Sequence, residues 1–263
     1  MPTLQARGVE IAWSERGEGA PVLLIHETAV GSSIWAAVAD QIADRARAVA
    51  YDRRGWAQTT APEGYRRTTI EEQSEDAAAV IEAVASAAVV CGAGLGAVIA
   101  LDLLIRRPEL VSGEILIEPP LLQLLPAATE SLSADRRALE EAAGEGREAI
   151  VDLYLSGGLG ALAAGVARLP EHLTGPAREQ SASLIAELGA VSAWATPLPR
   201  LARAERPTWI VTATSTPPLL REAATALAAR LARSETRELE SGDLPPHLGA
   251  AGEVAGLALE LSS

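Results

Sequence analysis

Short apolar runs alternate along most of this chain with longer stretches whose apolar positions recur every three or four residues. Pro21-Val22-Leu23-Leu24-Ile25, Arg47-Ala48-Val49-Ala50-Tyr51, Gly113-Glu114-Ile115-Leu116-Ile117 and Thr208-Trp209-Ile210-Val211-Thr212-Ala213 are continuous apolar runs of the kind buried on both faces of a parallel sheet. Leu4-Gln5-Ala6 and Val9-Glu10-Ile11-Ala12-Trp13, joined by Arg7-Gly8, read as a hairpin, and Glu235-Thr236-Arg237-Glu238-Leu239 as a last strand. Helical spacing covers 34–42, 70–85, 95–104, 217–233 and the residues after Pro246. Thr69-Ile70-Glu71-Glu72 is a capping box that fixes the start of the second of these. Strands alternating with helices at this spacing predict an α/β fold: a mostly parallel, twisted sheet of about eight strands with helices on both faces.

The alternation stops between about Leu121 and Arg206, where helical stretches are broken by Ser156-Gly157-Gly158 and Leu169-Pro170 and no strand is evident. We therefore expect a core built from 1–118 and 207–263, with 119–206 inserted as a helical lid.

At one point a strand breaks into three alternate glycines and then a helix: Val89-Val90-Cys91-Gly92-Ala93-Gly94-Leu95-Gly96-Ala97-Val98. Such a turn fits two patterns. Gly92-Ala93-Gly94-Leu95-Gly96-Ala97 satisfies the dinucleotide fingerprint G-x-G-x-x-A, with Glu118 ending the next strand where a ribose-binding acid would sit. The same residues fit the nucleophile elbow G-x-S-x-G, with glycine at the serine position. The nucleotide fingerprint normally opens its fold, whereas about three strands precede this one, so the elbow is the better reading.

Composition narrows the chemistry. The net charge of −13 opposes nucleic acid and anionic membrane surfaces, and neither is expected as a partner. There is no Lys, which removes Schiff-base catalysis. One cysteine, Cys91, precludes an internal disulfide or a Cys-rich metal site, and its place in the strand before the turn predicts a buried, inert thiol. Aromatic residues are 3% with no Phe, so Ala, Val, Leu and Ile must build the core. No basic leader or long apolar run is evident, and a cytoplasmic protein is expected.

Taken together, the chain resembles the α/β-hydrolase superfamily over essentially residues 3 to 263. The resemblance rests on a strand ending in His26-Glu27 where the family has His-Gly, on Asp52-Arg53-Arg54-Gly55-Trp56 against D-x-R-G-x-G, on the elbow frame, on the placement of the insertion, and on Gly242-Asp243-Leu244-Pro245 against G-H-x-P. It implies that Gly94 stands at the nucleophile position and cannot attack, that Asp243 stands at the base position, and that Thr216 is the nearest match to the acid position. Glu118 follows the strand before the lid, from which some members take their acid. His247 lies near a second family histidine and His26 at a loop-holding one, while His172 falls in the lid. Ordinary serine esterase activity is therefore not expected. What the resemblance leaves intact is a pocket in which the Leu95 amide and an amide of the Glu27-Thr28 loop form an oxyanion or ligand-binding pair, surrounded by Glu27, Glu118, Asp243 and His247.

Two readings follow. In one, an enzyme binds a small, mainly apolar carbonyl or hydroxylated metabolite and acts by non-covalent acid/base chemistry with Asp243, Glu118 or Glu27, as an isomerase, cyclase, lyase or water-activating hydrolase. In the other, the chain is a non-catalytic pseudo-hydrolase that binds a ligand or serves in an assembly. Neither calls for a cofactor or a metal. A small-molecule ligand is the expected partner, and a homo-oligomer is left open.

Overall fold

The computed structural model describes residues 1–262. Strands β1 (Thr3–Ala6), β2 (Val9–Arg16), β3 (Pro21–Ile25), β4 (Arg47–Tyr51), β5 (Ala88–Ala93), β6 (Val111–Ile117), β7 (Thr208–Ala213) and β8 (Ser234–Leu239) form one eight-stranded sheet in the order β1-β2-β4-β3-β5-β6-β7-β8. β1 and β2 pair antiparallel with each other, as does β2 with β4; every other pairing is parallel. The predicted hairpin, parallel runs and eight-strand sheet are all present.

Helix α1 (Ala36–Ile42) packs with α12 (Ala251–Leu261) on one face, and α2 (Ile70–Val84) with α3 (Leu95–Arg106) on the other. The sheet is thus buried on both sides, which is why its central strands are unbroken apolar runs. One core holds Leu23, Val49, Val90 and Leu116 with α2 and α3; the other holds Val22, Leu24, Val89 and Ile115 with α1 and α12. Side chains of neighbouring strand positions alternate between them. The Thr69 box forms as expected, its hydroxyl accepting the Glu72 amide while the Glu72 side chain accepts the Thr69 amide.

Three helix ends differ from the predicted spans. The first helix opens with a 3-10 turn, Ser32–Trp35, before α1 begins. Helix α10 (Pro218–Ala228) stops short of Arg233, and the last helical stretch divides at Ala250 into α11 (Pro246–Gly249) and α12. Apolar spacing continues through each boundary, so periodicity alone does not mark where the chain turns.

From Glu118 to Pro207, between β6 and β7, the chain is helical and irregular, with α4 (Thr129–Glu145), α5 (Arg147–Leu155), α6 (Gly175–Glu179), α7 (Ser181–Glu187), α8 (Ala190–Ala193), α9 (Leu198–Leu201) and several 3-10 turns. Tyr154, Leu159, Val166 and Leu184 of this segment pack on Ala29 and Trp56 of the core. Among the described residues no helix is long and apolar enough to cross a membrane.

One buried group is costly. Glu114 lies on β6 between Val90 and Thr208, is fully buried, and its carboxyl has one hydrogen-bond partner among the described residues, the Thr208 hydroxyl at 3.5 Å. Burial pushes it up to about 8. The folded protein therefore holds a proton that the unfolded chain releases near the ordinary value of a glutamate, and stability falls as pH rises from about 4.5 to about 8. That span corresponds to about 5 kcal/mol. Glu114→Gln is expected to raise the midpoint of urea denaturation near pH 8 and to change it little near pH 5, compared at equal slope.

Candidate active site

Sheet order places the site. From β3 the chain moves outward to β4 and then returns past β3 to β5, so the β3–β5 boundary is a topological switch point, and the carboxyl ends of those strands open a crevice. His26 and Glu27 follow β3, Gly94 follows β5, Glu118 follows β6, Thr216 follows β7 and His247 follows β8. Residues far apart in sequence are thereby brought to the carboxyl end of the sheet.

The sharp turn between β5 and α3 carries glycine at its tip. Gly94 has φ 53° and ψ −120°, in the left-handed region, and serves as N-cap of α3. Gly96 permits the helix to approach β3: a Cβ there would lie 2.2 Å from the Ile25 carbonyl oxygen. As the first residue of α3, Leu95 has an amide with no intrahelical acceptor, at the positive end of the helix dipole.

Glu27 fills the space over Gly94. A Cβ on Gly94 would lie 3.0 Å from the Glu27 Cβ and 3.6 Å from its Oε2. From the opposite side the helical segment brings Gly165, where a Cβ would stand 2.6 Å from the same Oε2. The Glu27 carboxylate thus sits between two positions that have no side chain. It is buried, with Oε1 3.3 Å from Nε2 of His247. The two atoms are close but not aligned as a hydrogen bond, and both nitrogens of His247 lack a hydrogen-bond partner among the described residues. The His247 ring is buried against the Trp35 indole, with centroids 4.9 Å apart.

Beneath Glu27, His26 holds the loop. Its Nδ1–H donates to the Glu27 carbonyl at 2.7 Å while Nε2 accepts the Arg53 amide at 2.9 Å, an arrangement that requires the neutral imidazole. Burial, reinforced by the Arg53 charge, holds its pKa well below the usual histidine value. Ala29, with φ 77°, continues the same loop in a conformation that is strained for any residue with a side chain.

Glu118 lines the cavity and is anchored. The Thr216 hydroxyl donates to its Oε1, and the Arg168 guanidinium pairs with its Oε2. Thr216 is itself fixed by the Ala213 amide, which donates to its hydroxyl at 2.6 Å. The φ of Glu118 is 47°, a second strained position at the edge of the cavity.

A third carboxylate, missed in the sequence, completes the wall. Glu187 at the end of α7 is buried and accepts from Trp56 Nε1 at 2.8 Å, from the Thr28 hydroxyl at 2.8 Å and from Arg53 Nη2 at 3.1 Å. Its only signal in the sequence is position: three residues after Leu184, it lies on the buried face of a short helix. Tyr154, also unassigned in the sequence, contributes a phenol whose pKa burial drives upward, so that it stays a neutral hydroxyl. With Leu159, Leu162, Leu188, Val191 and Leu220, these groups line a partly open cavity of about 60 Å³.

The expectation for Asp243 is corrected. Asp243 is exposed and absent from the cavity lining; His247, four residues on, is the residue that enters. Gly242 takes φ 59° and turns the chain, and Pro245-Pro246 then start α11, which carries His247 inward. Asp243→Asn is accordingly expected to leave ligand binding, and any turnover, within about twofold, as for a surface change away from the site. Glu27, Thr28, Gly94, Leu95, Glu118 and His247 do line one cavity, with Thr216 bonded to Glu118 behind it. His172 is exposed. Cys91 is fully buried, and burial drives its thiol pKa upward. Glu27 also bears on the nucleotide alternative, since its carboxylate lies over Gly94, where a pyrophosphate would have to approach the turn.

This sheet order, with an elbow between β5 and α3 and the site at the carboxyl ends of the strands, defines a class of enzymes and their relatives. Residues 22–257 match the model of the alpha/beta hydrolase family, and the chain belongs to that family. It is 40% identical over 127 residues to uncharacterized hydrolase YraK of Bacillus subtilis, a match that spans 47% of this chain and 46% of that protein, so just under half the length of the relative is covered. Similar solved structures include an alpha/beta hydrolase from Sphaerobacter thermophilus (22% identity, TM-score 0.74, all of both chains). A thermophilic esterase from Thermogutta terrifontis (18%, 0.75, 97% of this chain and 95% of that one) and the enol-lactonase of Burkholderia xenovorans (18%, 0.69, 99% of each) share the fold.

Proposed function

We propose that this protein is an enzyme of small-molecule metabolism that carries out non-covalent acid/base chemistry on a small, mainly apolar carbonyl or hydroxylated metabolite held beneath the helical segment, which serves as a lid. One observation carries the reading: the Glu27 carboxylate occupies the space over Gly94, 3.3 Å from His247 Nε2, where the family's elbow would present a nucleophile. Glu27 is the base. It takes a proton from a carbon next to a carbonyl, or from a bound water, and the Leu95 amide receives the charge that develops on the substrate oxygen. His247 accepts or returns the proton at the Glu27 carboxyl. Glu118, held by Arg168 and Thr216, is less free to exchange protons and shapes the far wall.

The broad activity is tested by proton exchange. The protein, incubated in deuterium oxide with cyclopentanone, acetylacetone and γ-butyrolactone, is expected to speed deuterium entry next to a carbonyl, or lactone opening, as followed by NMR. Activity on activated esters through an acyl-enzyme is expected to be nil. No acceleration with any probe overturns the enzyme reading in favour of a ligand-binding protein.

A further inference from the structure

The charges around the cavity fix a substrate class. Three carboxylates line it, Glu27, Glu118 and Glu187. Two are neutralised, Glu118 by Arg168 and Glu187 by Arg53. Glu27 has no guanidinium among its neighbours in the described residues; the group facing it is the His247 imidazole. Arg168 and Arg53 are therefore committed to protein carboxylates, and among the described residues no arginine lines the cavity to receive an acidic ligand.

We infer that the site takes uncharged small molecules and rejects carboxylates, and that Glu27 sets this preference. The inference rests on the reading of Glu27 as the base. With a neutral substrate, proton transfer leaves the charge of the cavity unchanged: the proton goes from the substrate carbon or hydroxyl to the Glu27 oxygen. The electron pair left behind places the negative charge on the substrate oxygen at the Leu95 amide. One negative charge moves a short distance and none is added. An anionic substrate breaks that balance, because it brings a second negative charge beside the Glu27 carboxylate before any proton has moved. Two like charges about 5 Å apart at an effective dielectric near 20 repel enough to weaken binding on the order of a hundredfold. The positive end of α3 amounts to roughly half a charge and offsets only part of this.

Shape and charge are separated by a pair of probes with the same outline, cyclopentanecarboxamide and cyclopentanecarboxylate, titrated calorimetrically into the full chain at neutral pH beside cyclopentanone. The neutral amide and the ketone are expected to bind in the millimolar range or tighter, and the carboxylate at least about tenfold more weakly. In Glu27→Gln, an isosteric change, the gap between amide and carboxylate is expected to close by about tenfold. Equal or tighter binding of the carboxylate to the unmodified protein overturns the inference, whatever the variant does. So does the absence of saturable binding by both neutral probes. Selective binding of the neutral probes without deuterium exchange would instead remove the catalytic reading and leave the selectivity standing.

Discussion

Glu27→Gln is expected to lower the rate of proton exchange or lactone opening by roughly a thousandfold, within the range that general acid/base groups contribute. The variant should fold, because the amide keeps the size of the carboxylate between Gly94 and Gly165, and the backbone that carries it is held by His26 and Arg53 rather than by its own side chain. Circular dichroism and the denaturation midpoint are expected to match the unmodified protein. The informative quantity is the division of the loss. An interaction made only in the transition state lowers kcat and kcat/KM together, whereas one that merely holds substrate raises KM. A loss confined to KM would mean that Glu27 binds and that another group removes the proton. Retention of full activity would return the role of base to Glu118.

How far the site could be read from residues alone depended on the distance over which each signal acts. Local signals were reliable. The Thr69–Glu72 capping box, the turn at Arg7-Gly8 and the unbroken Val22-Leu23-Leu24-Ile25 run each specify their own element, and the element forms. The three alternate glycines from the end of β5 into α3 were legible as a tight turn because Gly92 and Gly94 answer to the turn itself; that Gly96 also admits the Ile25 carbonyl of β3 was not legible. Glu27 was legible as a neighbour of that elbow through its place after β3. Its position over Gly94 was not, since it depends on the glycine at 165, in a segment with no repeating pattern. Asp243 and His247 show the limit most directly. Motif spacing favoured Asp243, but a turn at Gly242 and a helix start at Pro245-Pro246 decide which side chain enters, and both lie in the backbone rather than in the motif. Glu187 and Arg53 are 134 positions apart, and nothing near either residue announces the other.

That pair leads to the second large effect. Removing Glu187 alone, as Glu187→Leu, is expected to cost about 3–5 kcal/mol, because it leaves the buried Arg53 guanidinium without its counter-charge. It also strands the Trp56 indole N–H and the Thr28 hydroxyl, both of which donate to Glu187. Combining it with Arg53→Met removes the uncompensated charge, and part of the loss should return. Recovery stays incomplete, because Arg53 Nε also donates to the His26 carbonyl at 2.9 Å, on the loop that carries Glu27. Denaturant midpoints at constant slope for the two single variants and the double variant give the coupling energy, expected to be about 2 kcal/mol or more. The consequence reaches the site. Arg53 joins three things: the loop of β3 through His26, the helical segment through Glu187, and helix α2 through the Gln73 side chain. Losing the pair releases α7 from the core at the point where Thr28 and Leu188 face the cavity. Glu187→Leu should therefore raise KM for the neutral probes more than it lowers kcat, which distinguishes a group that fastens the helical segment from one that moves the proton.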